Sequence, residues 1–153
     1  MLRFHPGTRA LRWGRASLTG QIYHVTTATR NREPHFIDWP AGRCVVHALR
    51  AAERVNATRT LAFCLMPDHL HWLLQLGNEP LSRVVGTMKG RAARAFCQAN
   101  PGTSHLWQRG FYDHALRAEE DLVDVARYII ANPLRAGLVK RVGDYPLWDC
   151  VWL

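Results

Sequence analysis

The stretch RTLAFCLMPDHLHWLLQL, residues 59–76, decides the fold. Its two apolar halves carry no helix punctuation, and the dipeptide Pro67-Asp68 between them is typical of a tight turn. The pattern predicts two buried strands joined as a β-hairpin. The second strand contains His69 and His71, which the alternation of a strand places on one face with Cα atoms about 6.8 Å apart.

This histidine pair has two interpretations. Two imidazoles at that spacing can converge on one metal ion, because the neutral ring is a common metal ligand. Alternatively, both rings hydrogen-bond within a polar sheet face or are exposed, which is the usual explanation of an isolated His-x-His pair. Asp68 follows a proline in the turn, and we treat it as structural. The rest of the chain must decide between the two interpretations.

Outward from the hairpin, the chain reads as β-α-β-β-α-β-α. The further predicted elements are a strand at residues 22–29, a helix from about 40 to 55 capped by Asp38, a helix from about 81 to 98, a strand within residues 110–117, and a third helix beginning near Glu119. The first six elements have the split βαβ order. We therefore predict an α+β fold, a ferredoxin-like βαββαβ antiparallel sheet with helices on one face, and an additional C-terminal helix.

The composition indicates one globular domain, residues 1–153, with a basic N-terminal arm at 1–17 and a short C-terminal tail at 134–153. Of the 153 residues, 48% are hydrophobic and 21% are charged, and no apolar run approaches a membrane span. The arm also has the composition of a transit peptide, but strand-like sequence follows within a few residues. Four dispersed cysteines without a C-x-x-C pair suggest a reducing compartment.

The net charge of +8 suggests a polyanionic partner, nucleic acid or an anionic membrane surface, although many basic proteins bind nothing specific. The second predicted helix carries a basic face opposite its apolar one and has no acidic residue from 81 to 99. A face of one sign repels itself unless an anion offsets it. We therefore predict DNA phosphate contacts from this helix and the arm, by Arg83, Lys89, Arg91, Arg94, Arg9, Arg12 and Arg15.

The third predicted helix separates a tyrosine from its apolar stripe. At about 100° per residue, Tyr128 lies about 120° from the centre of the stripe formed by residues 122, 125, 126 and 129. Asn132 lies one turn after Tyr128, and Pro133 disfavours further helix there. The tyrosine is either an amphipathic surface residue or half of a polar pair with a function.

Three motifs together carry a family resemblance. They are MPDHLHWLL (residues 66–74), LWQRGFYDHALR (residues 106–117) and YIIANPLRAGLV (residues 128–139). A strand with two histidines around an apolar residue, followed by one tyrosine on a later helix, resembles the HUH single-strand nucleases. The three motifs in this order resemble more closely the REP-associated tyrosine transposases, over residues 18–148. Asn132, where insertion-sequence members typically have glutamine, favours that branch.

The resemblance implies an enzyme that cuts and rejoins single-stranded DNA at REP-type hairpins. Tyr128 would be the catalytic nucleophile, forming a 5′-phosphotyrosine and releasing a 3′-hydroxyl. His69, His71 and the amide oxygen of Asn132 would hold a divalent metal ion, magnesium or manganese by resemblance, although imidazoles alone rank zinc higher. The enzyme would be a monomer or homodimer in the bacterial cytoplasm, associated with the nucleoid.

Alternatives remain open at this point. A non-enzymatic nucleic-acid-binding module on the same scaffold would stack bases on sheet aromatics, for which Tyr23, Phe63, Trp72 and Phe111 are the candidates. Tyr112, in the fourth predicted strand, is the rival nucleophile. An HUH enzyme retained for another kind of DNA processing would carry the same residues as a transposase.

Overall fold

The computed structural model of the protein describes residues 19–55, 57–117 and 121–153. The predicted arm, with Arg9, Arg12 and Arg15, lies outside these residues. Within the residues described, five antiparallel strands form one sheet in the order β4-β1-β3-β2-β5. The strands are β1 Ile22–Ala28, β2 Thr58–Met66, β3 His69–Leu76, β4 Tyr112–Ala115 and β5 Trp148–Cys150. The α+β prediction is confirmed. The strand β5 was not predicted and lies within the segment 134–153.

In the described ranges, four helices accompany the sheet: α1 Trp39–Arg54, α2 Leu81–Ala99, α3 Leu122–Ile130 and α4 Asn132–Arg135. The prediction that Asp38 caps α1 is wrong in its chemistry, because the residue is at the N-cap position but its side chain makes no cap hydrogen bond. The third helix begins at Leu122 rather than near residue 119, because Asp121 caps it and accepts hydrogen bonds from the backbone of Val123 and Asp124.

The two faces of the sheet are covered by different helices. Helices α1 and α2 pack on the face that presents Val25, Leu65 and Trp72. Helix α3 packs on the opposite face, against Cys64 and Leu73. The prediction of helices on one face therefore holds for α1 and α2 alone. We call the second face of the sheet the α3 face; alternation along β3 places both predicted histidines on it.

The hairpin of β2 and β3 is tight, with Met66 opposite His69 and Pro67 and Asp68 in the turn. The loop after β1 holds this turn. Thr29 donates to the carbonyl of Asp68 from its backbone nitrogen at 2.8 Å and from Oγ1 at 3.1 Å. The backbone nitrogen of Phe36 donates to the carbonyl of Pro67 at 3.0 Å. Fixed carbonyls make this turn a rigid support for the side chain of Asp68.

Across the described ranges, no helix combines the length and apolar character that a membrane crossing requires.

Candidate active site

The two histidines of β3 meet at their outer nitrogens. Nε2 of His69 lies 3.2 Å from Nε2 of His71, and the rings are nearly perpendicular, at 80°, with centroids 4.9 Å apart. His71 is 7% exposed, so one ring of the pair is buried against the sheet while the other lies nearer solvent. The inner nitrogens face different partners, and those partners decide which nitrogen of each ring carries the proton.

Asp68 orients His69. Its Oδ1 lies 2.6 Å from Nδ1 of His69, and its Oδ2 lies 3.0 Å from Nε of Arg32. Because a carboxylate only accepts hydrogen bonds, Nδ1 of His69 carries the proton and its Nε2 keeps a lone pair. Asp68 thus has a direct role at the histidine pair, and our treatment of it as merely structural was incomplete.

The segment that delivers Arg32 has an unusual backbone. Asn31 and Arg32 both have φ of 56°, in the left-handed region that arginine seldom adopts. This conformation directs the Arg32 side chain back onto the carboxylate of the turn. Residues in sparsely populated backbone conformations concentrate at functional sites. Here the strained backbone supports the contact between Arg32 and Asp68, and Asp68 in turn contacts His69.

His24, on the neighbouring strand β1, contacts the inner nitrogen of His71. Nε2 of His24 lies 3.1 Å from Nδ1 of His71, and Oγ1 of Thr26 lies 3.4 Å from the same atom. The strand register places Thr26 directly opposite His71, so His24 reaches the ring diagonally. The sequence alone indicates no contact between His24 and His71.

The environment keeps these rings neutral. Burial lowers the pKa of His71 to about 2, and the neighbouring His69 acts in the same direction. Burial also lowers the pKa of His24 to about 4, with His114 contributing. The pKa of His69 is lowered by burial, although the hydrogen bond to Asp68 opposes that change. Neutral imidazoles retain the lone pair that a metal ion needs.

The spacing of the two Nε2 atoms fits one divalent ion. Bond lengths of about 2.1 Å at octahedral or tetrahedral angles require nitrogens roughly 3.0 to 3.4 Å apart. The 3.2 Å separation falls within this range. In residues 19–55, 57–117 and 121–153, no three His, Cys, Asp or Glu side chains form a group that could hold a metal ion. Any further ligand would be of another type, such as an amide oxygen or water.

Cys64 lies directly opposite His71 on β2, yet its chemistry is that of the core. Burial raises the pKa of its thiol to about 12, so the sulfur stays protonated at neutral pH. Metal ions bind the thiolate. Cys64 is a buried residue of the core.

Helix α3 carries Tyr128 on its exposed side. The tyrosine is 49% exposed, whereas Ala126 and Ile129 are buried. The guanidinium carbon of Arg135 lies 3.9 Å from the centroid of the phenol ring, and its Nη2 donates to the carbonyl of Tyr128 at 2.7 Å. No hydrogen bond joins the phenol to either histidine within the described part of the chain. Arg135 is the residue that holds the ring in place.

Asn132 begins helix α4, one turn after Tyr128. Its Nδ2 donates to the carbonyl of Ile129 at 2.8 Å and to that of Tyr128 at 3.5 Å. Both hydrogen bonds use the amide nitrogen, which leaves the amide oxygen for a ligand. Helix α3 ends at Ile130, before Asn132 as predicted, and the separate helix α4 then begins, because a proline is tolerated in the first turn of a helix.

Tyr112 also lies on the α3 face. It is opposite Thr26 on β1, and Thr26 is in turn opposite His71. Two strand spacings separate Tyr112 from His71, about 10 Å. The side chain is 40% exposed. Tyr112 therefore lies on the same sheet face as the histidines, whereas Tyr128 lies on the exposed side of the helix that packs on that face.

The basic stripe of α2 lies on the other side of the molecule. Arg83, Arg91 and Arg94 are exposed on a helix that packs on the sheet face opposite the α3 face. A helix is about 10 Å or more in diameter, so these side chains lie at least that far beyond the sheet. Lys89 donates to the carbonyls of Gln108, at 2.9 Å, and Gly110, at 2.6 Å. These contacts give Lys89 a structural role in anchoring the loop before β4.

The aromatics suggested for base stacking are not available. Tyr23, Phe63, Trp72 and Phe111 are each at most 8% exposed and belong to the core beneath α1 and α2. Trp72 also donates its Nε1–H to Oγ1 of Thr60 at 3.0 Å. A base cannot stack on a ring that helices cover, so this arrangement argues against the non-enzymatic module.

Comparison with known proteins agrees with this fold. A family model described as "Transposase IS200 like" matches residues 17–132. The chain therefore belongs to the IS200-like transposase family. A REP-associated tyrosine transposase of Escherichia coli (strain K12) is 28% identical over 131 residues, covering 84% of this chain and 76% of that protein. The predicted resemblance to the REP-associated branch is confirmed.

A solved structure supports the same assignment. The structure of a REP-associated tyrosine transposase bound to a REP hairpin has a TM-score of 0.72 and 25% sequence identity. The match covers 97% of this chain and 82% of that one. Homology and fold together indicate a transposase-like role in DNA processing.

Four residues contact the histidines, the tyrosine or Asp68, and the sequence alone did not identify these contacts. They are His24, Arg32, Asp68 and Arg135. Asp68 adjoins His69 in the chain, and that adjacency was an available signal. His24 and Arg135 become visible only through strand register and helix packing, which one sequence does not provide.

Proposed function

We propose that this protein is a metal-dependent single-strand DNA endonuclease and strand transferase acting on REP-type hairpins, with Tyr128 as the nucleophile. The observation that carries the proposal is the 3.2 Å pair of Nε2 atoms on the face where α3 packs. Membership of the IS200-like transposase family supports the proposed reaction class. The hairpin substrate is proposed because the related solved structure is described as bound to one.

The reaction proposed is a transesterification. The phenolic oxygen of Tyr128 forms a bond to phosphorus, and the bond between phosphorus and the 3′ oxygen breaks. The phenol loses its proton and the leaving 3′ oxygen gains one, which yields a 5′-phosphotyrosine and a free 3′-hydroxyl. Rejoining is the reverse step with a different 3′-hydroxyl, so the bond energy is kept.

The chain's own residues prepare this step. Arg135 covers the phenol ring and binds the backbone of Tyr128, so it restricts the nucleophile and adds positive charge beside it. Asp68 and His24 hold the two ligand rings. Mg²⁺ or Mn²⁺, held by His69, His71 and the amide oxygen of Asn132, would act as a Lewis acid on the scissile phosphate.

The proposal is compatible with a monomer or a homodimer, because the exposed side of α3 can present Tyr128 to its own sheet or to a partner's. We place the activity in the bacterial cytoplasm at the nucleoid, where hairpin-forming DNA is found. Mobilisation of DNA and another processing role require the same chemistry.

The test is adduct formation with a single-stranded REP-type hairpin oligonucleotide and Mn²⁺, followed on denaturing gels. We expect wild type and Tyr112→Phe to form a denaturant-resistant adduct, and Tyr128→Phe to form none while still binding the hairpin. A chelator should abolish the adduct. Adduct formation by Tyr128→Phe would assign the nucleophile to another residue, and loss of the adduct in Tyr112→Phe alone would identify that residue as Tyr112.

A further inference from the structure

The proposed ligand His71 has an unusual neighbour at its inner nitrogen. Metal-bound histidines commonly donate the N–H of their second nitrogen to a carboxylate, a carbonyl or water. His69 follows this pattern through Asp68. His71 instead faces the neutral imidazole of His24, with Nδ1 and Nε2 separated by 3.1 Å.

We infer that His24 is a positioning residue, which fixes the tautomer of His71 by accepting a hydrogen bond from its Nδ1. The inference rests on the proposed metal site. A neutral imidazole carries one proton on one of its two nitrogens, so the 3.1 Å hydrogen bond between His24 and His71 has two possible directions. The direction decides whether Nε2 of His71 has a lone pair.

In the first direction, Nε2–H of His24 donates to Nδ1 of His71. The proton of His71 must then lie on Nε2, from which it donates to Nε2 of His69 across the 3.2 Å gap. Both Nε2 atoms are then joined by a hydrogen bond and the ion has no place between them. In this direction the site is closed.

In the second direction, Nδ1–H of His71 donates to Nε2 of His24. Nε2 of His71 then presents a lone pair beside that of His69, whose tautomer Asp68 has already set. His24 carries its own proton on Nδ1. The exchange between the two directions conserves the number of protons, so His24 selects the binding-competent tautomer without a change of charge in the core.

Thr26 is the alternative acceptor for the same proton, and geometry favours His24. Oγ1 of Thr26 lies 3.4 Å from Nδ1 of His71, at the long end of hydrogen-bond distances, against 3.1 Å for His24. The centroids of the His24 and His71 rings are 5.3 Å apart with a 38° tilt, so the contact is made through the ring edges. Loss of the His24 acceptor would leave the Nδ1–H of a buried ring with a poor partner.

The test compares three substitutions at this position by Mn²⁺ affinity, measured from the electron paramagnetic resonance signal of the free ion. His24→Gln places an amide oxygen near the position of Nε2, whereas His24→Asn is one methylene shorter and His24→Leu has no acceptor. We expect the Kd to rise about 10- to 100-fold in His24→Leu and His24→Asn, the usual range for loss of such a partner. His24→Gln should stay near wild type.

Nitrogen-15 spectra of the Mg²⁺-loaded wild type provide a second readout, and we expect His71 to carry its proton on Nδ1. A proton on Nε2 would overturn the inference. Equal Kd values for wild type, His24→Leu and His24→Asn would overturn it while leaving the metal site intact. Absence of Mn²⁺ binding by the wild type would overturn both. If His24→Leu fails to fold, the comparison of His24→Gln with His24→Asn decides.

Discussion

At the scale of single residues, one continuous chain of contacts runs from Arg32 through Asp68, His69 and His71 to His24. It spans two strands and the loop that follows the first. Every ring in the chain is neutral, because burial lowers the pKa of each. A carboxylate paired with an arginine at one end fixes the direction of the first hydrogen bond. The orientation of His69 is thus set by contacts within the chain itself.

Asp68→Asn is predicted to weaken Mn²⁺ binding about tenfold, and Asp68→Ala up to about 100-fold. The asparagine keeps an acceptor for Nδ1 of His69 but loses the charge and the ion pair with Arg32. The matched control is Asp144→Asn, which removes an exposed carboxylate paired with Arg141. An unchanged Kd in Asp68→Ala would show that the turn carboxylate does not orient the ligand.

The sequence predicted the ligand pair but not its supports. His69 and His71 lie on one face because strand alternation is local, and residues 59–76 make the strand unambiguous. The partnership of His24 with His71 depends on the register of two strands 47 positions apart, which local pattern does not determine. Asp68 was considered, but its position in a turn suggested a structural role. The contact between its carboxylate and Nδ1 of His69 is visible only in the three-dimensional structure.

At the scale of elements, helix α3 is short and depends on its first turn. Asp121 accepts hydrogen bonds from the backbone nitrogens of Val123, at 2.8 Å, and Asp124, at 3.3 Å. The helix presents Tyr128, so its stability bears on the nucleophile's position. The N-cap of α1, Asp38, makes no such side-chain hydrogen bond. Substitutions of Asp121 and Asp38 can therefore be compared, because both residues are at an N-cap position but only Asp121 makes the side-chain hydrogen bonds.

Asp121→Ala is predicted to destabilise the protein by about 1 kcal/mol, whereas Asp38→Ala should have little effect. For a domain of this size, the loss lowers Tm by roughly 2 to 4 °C. Thermal unfolding followed by circular dichroism measures both variants. A drop in Asp38→Ala as large as that in Asp121→Ala would contradict the cap geometry.

Element prediction succeeded where the pattern was long and failed where it was short. The hairpin strands and α2 carry many consecutive periodic residues, and their bounds agree with the structure within about one residue. Strand β5 has three residues, Trp148–Cys150, and exists because β2 offers it an edge. Such a short strand forms only because it pairs with β2, and the β propensity of three residues does not predict that pairing.

At the scale of the whole molecule, the sheet lies between the histidine pair and the basic stripe of α2, both of which we predicted to contact the same DNA. The histidines and α3 lie on one face, and the stripe of Arg83, Arg91 and Arg94 lies beyond the other. A DNA hairpin that contacts both must pass around an edge of the sheet. The salt dependence of hairpin binding can show whether the DNA contacts the basic stripe.

Changing all three arginines of the stripe to alanine is predicted to reduce the salt slope of hairpin binding by about 2 to 3, since each phosphate contact contributes about 0.7 to 0.9. The preference for hairpin over duplex should remain. The matched control changes three exposed arginines of α1, Arg43, Arg50 and Arg54, with the same loss of charge. Equal reductions of the salt slope in both variants would mean that the protein's overall positive charge attracts the DNA. An unchanged slope in the stripe variant would show that α2 does not contact the DNA.

The central claim is that Tyr128, on the helix that packs over the face of the histidine pair, becomes joined to DNA. The most direct measurement is tryptic mapping of the wild-type adduct formed with a hairpin oligonucleotide and Mn²⁺. The sequence separates the candidates, because peptides containing Tyr128 end at Arg135 and those containing Tyr112 end at Arg117. We predict that the nucleotide mass is found on Tyr128 in the peptide ending at Arg135. Nucleotide mass on the peptide ending at Arg117 would contradict the account.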